Sequence, residues 1–402
     1  METELEIKIK MKLLRTVFLV LLTTTTYSFA QTNSSDMLCQ GNYYEEAEAA
    51  KILKELMGTI KTQEDWEKRA KIIRQGILDG VGLQKVRYQG DLKTIRHSWR
   101  KQKGYSVENV AFESLPGVYV TGALYKPLKI KGKIPVILST HGHWSKEEDY
   151  GRFRKDAQTR FANFAKMGAI VLAIDMVGYG ETREFGWEHK HKEALKLQIW
   201  NCVRAVDFLL KEEFADPTRV AVTGASGGGT QTILLAALDE RITVSVPTVM
   251  VSAHFFGGCV CESGMPIHKS KNHQTNNVEI AATFAPKPQL LISDGDDWTK
   301  NNPEVEYPFM QYIYGLYGQK NMVENVHLPE EKHDYGWSKR QAAYKFLAKH
   351  LDLNLSKLTL RDGNIQEKDI LIESKEKLRI FDENHPFPES AIKTNEEIDW
   401  KL

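Results

Sequence analysis

The chain is expected to adopt an α/β fold, a mainly parallel central sheet with helices on both faces. Two observations carry this. Val136-Ile137-Leu138 and Ile170-Val171-Leu172-Ala173-Ile174 are apolar runs without alternation, as strands covered on both faces require. From residue 135 onward such runs also alternate with segments of helical periodicity, the pattern of a sheet built from crossover units.

The elements follow in order. Segments 45–60 and 63–78 place apolar residues at helical spacing, the second with Thr62 as N-cap and Glu64 and Asp65 in its first turn. Strand patterns at 108–113 and 118–125 flank Leu115-Pro116-Gly117, a hairpin turn. Strands are then expected at 135–140, 169–176, 219–223, 243–251, 289–293 and 323–328. Helices are expected at 153–167, 192–211, 230–238, 304–316 and 339–351. In the charged tail only 370–372 and 378–380 read as strand, and the tail is expected along the surface. The resulting division is 1–30 leader, 31–104 helical lead-in, 105–353 main domain and 354–402 C-terminal extension packed on it.

The leader reading rests on Lys12 and Arg15 before the apolar run 17–22, and on Ser28-Phe29-Ala30 as a small-x-small cleavage site. Maturation is expected to leave Gln31 first, and Met11 is an alternative initiator. The run is shorter than the roughly 20 residues that cross a bilayer. Export to the periplasm or medium is therefore expected, with no membrane anchor. Basic and acidic residues number 54 and 53, a net charge of +1, so no field draws in nucleic acid. The sequence assigns no oligomeric state.

An exported chain is free to form disulfides, and Cys39, Cys202, Cys259 and Cys261 allow three full pairings. The other reading of Cys259-x-Cys261, a zinc site completed by His268 and His273, lacks the spacing of a known zinc signature. No metal and no cofactor are expected.

Chemistry concentrates in Gly224-Ala225-Ser226-Gly227-Gly228, between an expected strand and an expected helix. A serine hydroxyl becomes a useful nucleophile when a tight turn exposes it beside a base and oxyanion donors. That context specifies the nucleophile turn of the α/β-hydrolase fold. The bland reading makes Ser226 a helix cap. The base belongs after the last core strand, where His333 lies. The acid expected after the preceding strand is Asp297, with Asp294 and Asp296 as turn residues. Glu262, one loop earlier, is the alternative acid. Backbone N–H groups of Gly227 and of His143 or Trp144 are the oxyanion donors. His141 is read equally as loop packing. Tyr179, Trp187, His268, Asn276 and Trp298, with His273 and Asn277, stand near expected strand ends, where ligands of open parallel sheets bind.

Several of these segments resemble secreted α/β-hydrolases of polysaccharide-degrading bacteria, the acetylxylan esterase-like group related to glucuronoyl esterases. The likeness runs through His141-Gly142-His143, Asp175 to Glu181, the serine turn, Thr275 to Ile280, Asp297-Trp298-Thr299 and His333-Asp334-Tyr335-Gly336. It touches the tail at Phe381 to Pro386. It implies Ser226 as nucleophile, His333 as base and an ester-bearing poly- or oligosaccharide as substrate. Glucuronoyl esterases draw their acid from more than one loop, which keeps Glu262 open. The expected function is removal of acetyl or uronoyl ester groups from plant or algal cell-wall polysaccharide. The alternative is a lyase or dehydratase on uronic-acid oligosaccharides, since an oxyanion hole also holds an enolate.

Overall fold

The computed structural model describes residues 37–143 and 151–401. The expected leader at 1–30, its cleavage before Gln31 and Trp144 lie outside them. Residues Leu38–Leu402 form one compact unit.

Two helices open this unit, α1 (Glu46–Thr59) and α2 (Gln63–Val81). Thr62 caps α2 reciprocally: its hydroxyl accepts from the Asp65 N–H at 3.1 Å, and the Asp65 carboxylate accepts from the Thr62 N–H at 2.9 Å. This capping box satisfies two orphan donors of the first turn. Trp66, Ala70, Ile73, Ile77 and Val81, spaced three or four apart, form the buried stripe of α2.

The sheet has nine strands: β1 (Ile95–Lys101), β2 (Tyr105–Leu115), β3 (Val118–Pro127), β4 (Ile134–Ser139), β5 (Ile170–Ile174), β6 (Ala215–Ala225), β7 (Val244–Thr248), β8 (Gln289–Asp294) and β9 (Val323–Leu328). Their order is β1-β2-β3-β5-β4-β6-β7-β8-β9. The first three strands pair antiparallel, as does β3 with β5, and all pairs from β5 to β9 are parallel. The remaining helices are α3 (Lys155–Met167), α4 (Gly180–Glu184), α5 (Ala194–Leu210), α6 (Gly227–Leu238), α7 (Asn277–Ala282), α8 (Tyr307–Leu316) and α9 (Trp337–Leu351). The order reverses around β4: β5 lies on one side and β6 on the other. This opens a crevice at the strands' carboxyl ends, where ligands of such sheets bind. Every residue of β5 is buried, each aliphatic side chain contributing about 1.5–3 kcal/mol. Among the described residues no helix is long and apolar enough to cross a membrane.

Three expectations are corrected. β1 lies inside the segment read as a purely helical lead-in. Its sequence, IRHSWRK, is polar and mostly exposed or half-buried, the composition of a charged edge strand, which hides it from a search for apolar runs. Residues 370–372 and 378–380 are not strands; Leu378 ends a single helical turn, Lys375–Leu378. Nor does this stretch of the tail merely cover the surface, because Leu378, Ile380 and Phe381 are buried. The backbone N–H groups of Ile380 and Phe381 donate to Glu181 at 2.9–3.0 Å. Arg152 holds that carboxylate in turn, pairs with Asp175 at 3.1 Å and donates to the Leu378 carbonyl at 2.7 Å. A buried cation thus bridges two carboxylates and the tail. This ties the Asp175 to Glu181 segment to the tail segment beginning at Phe381.

Candidate active site

The nucleophile turn sits where β6 gives way to α6. Ser226 has φ 56° and ψ −124°, a strained conformation for a residue with a side chain. Its side chain makes no capping hydrogen bond to α6, which removes the reading of Ser226 as a helix cap. The helix starts at Gly227, three residues before the expected start at Thr230. Its first N–H groups, which have no intrahelical acceptor, therefore lie at the serine. Close approach dictates the glycines. A Cβ on Gly227 would lie 2.4 Å from His143 Cε1, and one on Gly228 would lie 2.9 Å from backbone of Thr140 and His141.

Asp297 and His333 arrive from the loops after β8 and β9. His333 Nδ1 donates to Asp297 Oδ2 at 2.5 Å, and the Asp297 side chain is 3% exposed. Asp297 Oδ1 accepts from both the N–H and the hydroxyl of Thr299 at 2.6 Å. Both carboxylate oxygens are thus committed, and Nδ1 is the ring nitrogen of His333 that faces the acid. Trp298 stands against the His333 ring with centroids 4.7 Å apart, and stacks on Phe255 at 3.8 Å. The ring of His143 lies against Gly227; β6, β7, β8 and β9 run parallel, so the loops bearing Asp297 and His333 leave the same edge of the sheet as the serine turn.

Sequence reasoning passed over Lys339, which fixes this geometry. Its ammonium, on α9 and fully buried, pairs with Asp294 at 3.1 Å and Asp334 at 3.0 Å and donates to the Lys332 carbonyl at 2.6 Å. It joins the end of β8 to the loop carrying His333. A lysine in helical register with the buried Ala343, Phe346 and Leu347 was the available signal. Asp294 accepts from the Asp296 N–H at 3.2 Å, the turn expected of Asp beside Gly.

Glu262 does not reach His333. Its Oε2 accepts from the N–H groups of Gly258 and Cys259 at 3.0 and 3.1 Å, and its Oε1 from the Thr230 hydroxyl at 3.3 Å. Burial pushes its carboxyl up to about 7. The alternative acid is thereby corrected: Glu262 shapes the turn that bears Cys259.

Of the expected binding residues, Tyr179 and Trp298 border the site. Tyr179 meets the rings of His141, His143 and His189 at 5.6, 5.7 and 4.4 Å. Trp187, His268 and Asn276 do not serve as expected. Trp187 is buried in the apolar core. His268 is buried, stacked on Phe256 and bonded through Nε2 to Asn277 Oδ1 at 2.8 Å; burial pushes it down to about 4, so it is neutral. Asn276 caps α7, accepting from the Glu279 N–H at 2.9 Å. His273 packs against α2, where a Cβ on Gly76 would lie 2.3 Å from its ring. His141 is a strut, accepting from the Met176 N–H at 3.0 Å. Polar residues near strand ends therefore divide between substrate space and loop construction, and only packing separates them.

All four cysteines are free, so none of the three pairings forms. His268 and His273 do not accompany Cys259 and Cys261. His143 and His189 face them instead.

The model of the prolyl oligopeptidase family matches residues 155–354, the stretch from α3 to the end of α9. The solved structure of methylesterase BT1017 is 38% identical, with 87% of this chain and 77% of that chain covered and a TM-score of 0.76. A glucuronoyl esterase from Solibacter usitatus shares the fold at 16% identity and TM-score 0.52, covering 72% of this chain and 94% of that chain. The hydrolase YtaP of Bacillus subtilis (strain 168) is 30% identical over 151 residues, 33% of this chain. The match spans 48% of that relative's length. With a hydrolase sheet, a strained serine at its switch point and a methylesterase of this identity and coverage, the chain belongs with methylesterase BT1017 in one family of α/β-hydrolases, whose fold the glucuronoyl esterase shares.

Proposed function

We propose that this chain is an exported serine esterase that hydrolyses carboxylic esters on poly- or oligosaccharides. The observation that carries the reading is the Asp297–His333 bond at 2.5 Å, in loops that leave the same edge of the parallel sheet as the strained Ser226 turn. His333 Nε2 takes the Ser226 proton as Oγ attacks the ester carbonyl, and Asp297 stabilises the imidazolium that forms. The oxyanion falls to N–H donors of Gly227 and His143, each such donor contributing about 10²- to 10³-fold in kcat. Collapse of the tetrahedral intermediate expels the alcohol, which receives the proton from His333. Water then attacks the acyl-enzyme with His333 as base, releasing the acid and restoring Ser226.

Tyr179 and Trp298 offer aromatic faces to a sugar ring. Of the ester types considered, the name of the 38%-identical methylesterase favours an alkyl ester on a sugar carboxylate over an acetyl group on a hydroxyl. The test is incubation with methyl-esterified uronate oligosaccharides and with acetylated xylo-oligosaccharides, followed by product masses and ultraviolet absorbance. Loss of a methyl group supports the reading, and loss of acetyl redirects it to acetate esters. Loss of water with new absorbance from an unsaturated uronate would replace it with elimination. Ser226→Ala is expected to lower kcat by at least about 10⁴-fold; full activity in that variant would overturn the mechanism.

A further inference from the structure

Beside the serine turn, where His143 lies against Gly227, four metal-ligating side chains converge. His143 follows β4, His189 lies between α4 and α5, and Cys259 and Cys261 flank the start of the short turn Val260–Ser263 after β7. Their ligating atoms all lie within 4.8 Å of one another. His143 Nε2 is 2.9 Å from Cys261 Sγ, and His189 Nε2 is 3.1 Å from Cys259 Sγ. Cys261 is buried and the other three are half-buried. A tetrahedral zinc ion, with nitrogen at about 2.0 Å and sulfur at about 2.3 Å, keeps its ligand atoms roughly 3.3–3.8 Å apart. The observed cluster brackets that spacing.

We infer that His143, His189, Cys259 and Cys261 form a tetrahedral site for one zinc ion. The groups around the ligands are arranged as metal ligands require. His189 Nδ1 donates to the Val177 carbonyl at 2.8 Å, which fixes the tautomer and turns the Nε2 lone pair toward the cluster. Cys259 Sγ accepts the Glu262 N–H, the hydrogen bond that a sulfur ligand commonly receives from its own turn. Glu262 closes the loop by accepting from the N–H groups of Gly258 and Cys259. The donor set, two thiols and two imidazoles without a carboxylate, selects zinc over magnesium or calcium. Binding exchanges the two thiol protons for the divalent cation. Two Zn–S and two Zn–N bonds form, two protons leave to solvent, and the complex is electrically neutral, as burial favours.

With four protein ligands the site is closed, so its role is structural. The ion pins together three segments that sequence keeps far apart: 118 residues separate His143 from Cys261, and 70 separate His189 from Cys259. One pinned residue, His143, packs against Gly227, so the metal positions the loop on the oxyanion side of Ser226. This inference does not rest on ester hydrolysis and holds whatever the reaction.

The full chain, purified without chelator, is expected to carry one zinc ion by elemental analysis. Apo protein titrated with Co²⁺ under reducing conditions is expected to develop the ligand-field bands of a tetrahedral ion and a thiolate charge-transfer band, saturating at one equivalent. Cys261→Ser and His189→Ala should each lose the charge-transfer intensity or the tetrahedral spectrum. Cys202→Ser, whose thiol lies elsewhere in the core, should keep both. Zinc removal should lower Tm, and readdition should restore it. A chain without zinc that shows no tetrahedral spectrum on cobalt addition would overturn the assignment. So would a Cys259–Cys261 disulfide in protein isolated without oxidant, or an unchanged cobalt spectrum in both ligand variants. The wild-type measurements decide the matter even if a variant fails to fold.

Discussion

Asp297 and Glu262 follow adjacent parallel strands, are both buried, and were both candidates for the same task. They end in different work. Asp297 divides its oxygens between Thr299 and His333, which leaves a base in the correct tautomer. Glu262 spends its oxygens on two backbone N–H groups and a threonine hydroxyl. The β8 loop is thus built to orient a base. The β7 loop is built to hold a turn with two thiols at its start. A carboxylate's role follows from the hydrogen-bond donors that reach it, and burial alone does not distinguish an acid of the site from a brace.

The sharpest way to break this comparison is to change each carboxylate to its amide. Asp297→Asn preserves shape but offers the His333 ring a donor in place of an acceptor, and kcat should fall about 10⁴-fold with Tm little changed. Steady-state kinetics on a small ester would check this; a loss under tenfold would return the acid's role to another residue. A smaller effect, in stability alone, comes from the continuation of the β7 loop. His268 is buried and its pKa is lowered to about 4, so it is neutral in the folded state, whereas in the unfolded chain it titrates near 6.5. Its share of stability is complete above pH 6.5 and is lost as pH falls from there to 4, about 3 kcal/mol in all. Denaturant unfolding at pH 7.5 and 4.5 should show this loss reduced in His268→Gln, with the difference between the two proteins isolating the histidine. Equal losses would show that the ring titrates normally. The smallest effect is expected for Glu262→Gln. It should cost about 1–2 kcal/mol of stability from the weakened turn and change kcat less than tenfold. A collapse of kcat to the Asp297→Asn level would erase the distinction between the loops.

The parallel sheet, the serine turn and the N-cap of α2 were legible in the sequence, because each rests on local chemistry. Apolar runs mark buried strands, a glycine-flanked serine between strand and helix marks the turn, and Thr62 with Asp65 marks a helix start. β1 escaped because a polar edge strand carries no apolar run, and its pairing with β2 is what makes it a strand. The buried tail escaped because its fixing points, Arg152 and Glu181, lie some 200 residues away in the chain.

Side-chain partnership was decided only in three dimensions. Cys259-x-Cys261 pointed to His268 and His273, the next histidines along the sequence, whereas the sheet's crossovers bring up His143 and His189. Trp187, His268 and Asn276 had the composition of binding residues and became core, strut and cap. The sequence by itself determined the buried strands of the parallel sheet and the strained turn at Ser226, since those depend on periodicity and backbone strain within a few residues. Which carboxylate meets His333, and which imidazoles meet the thiols, depends on the convergence of loops from separate strands. That convergence exists only once the sheet has assembled.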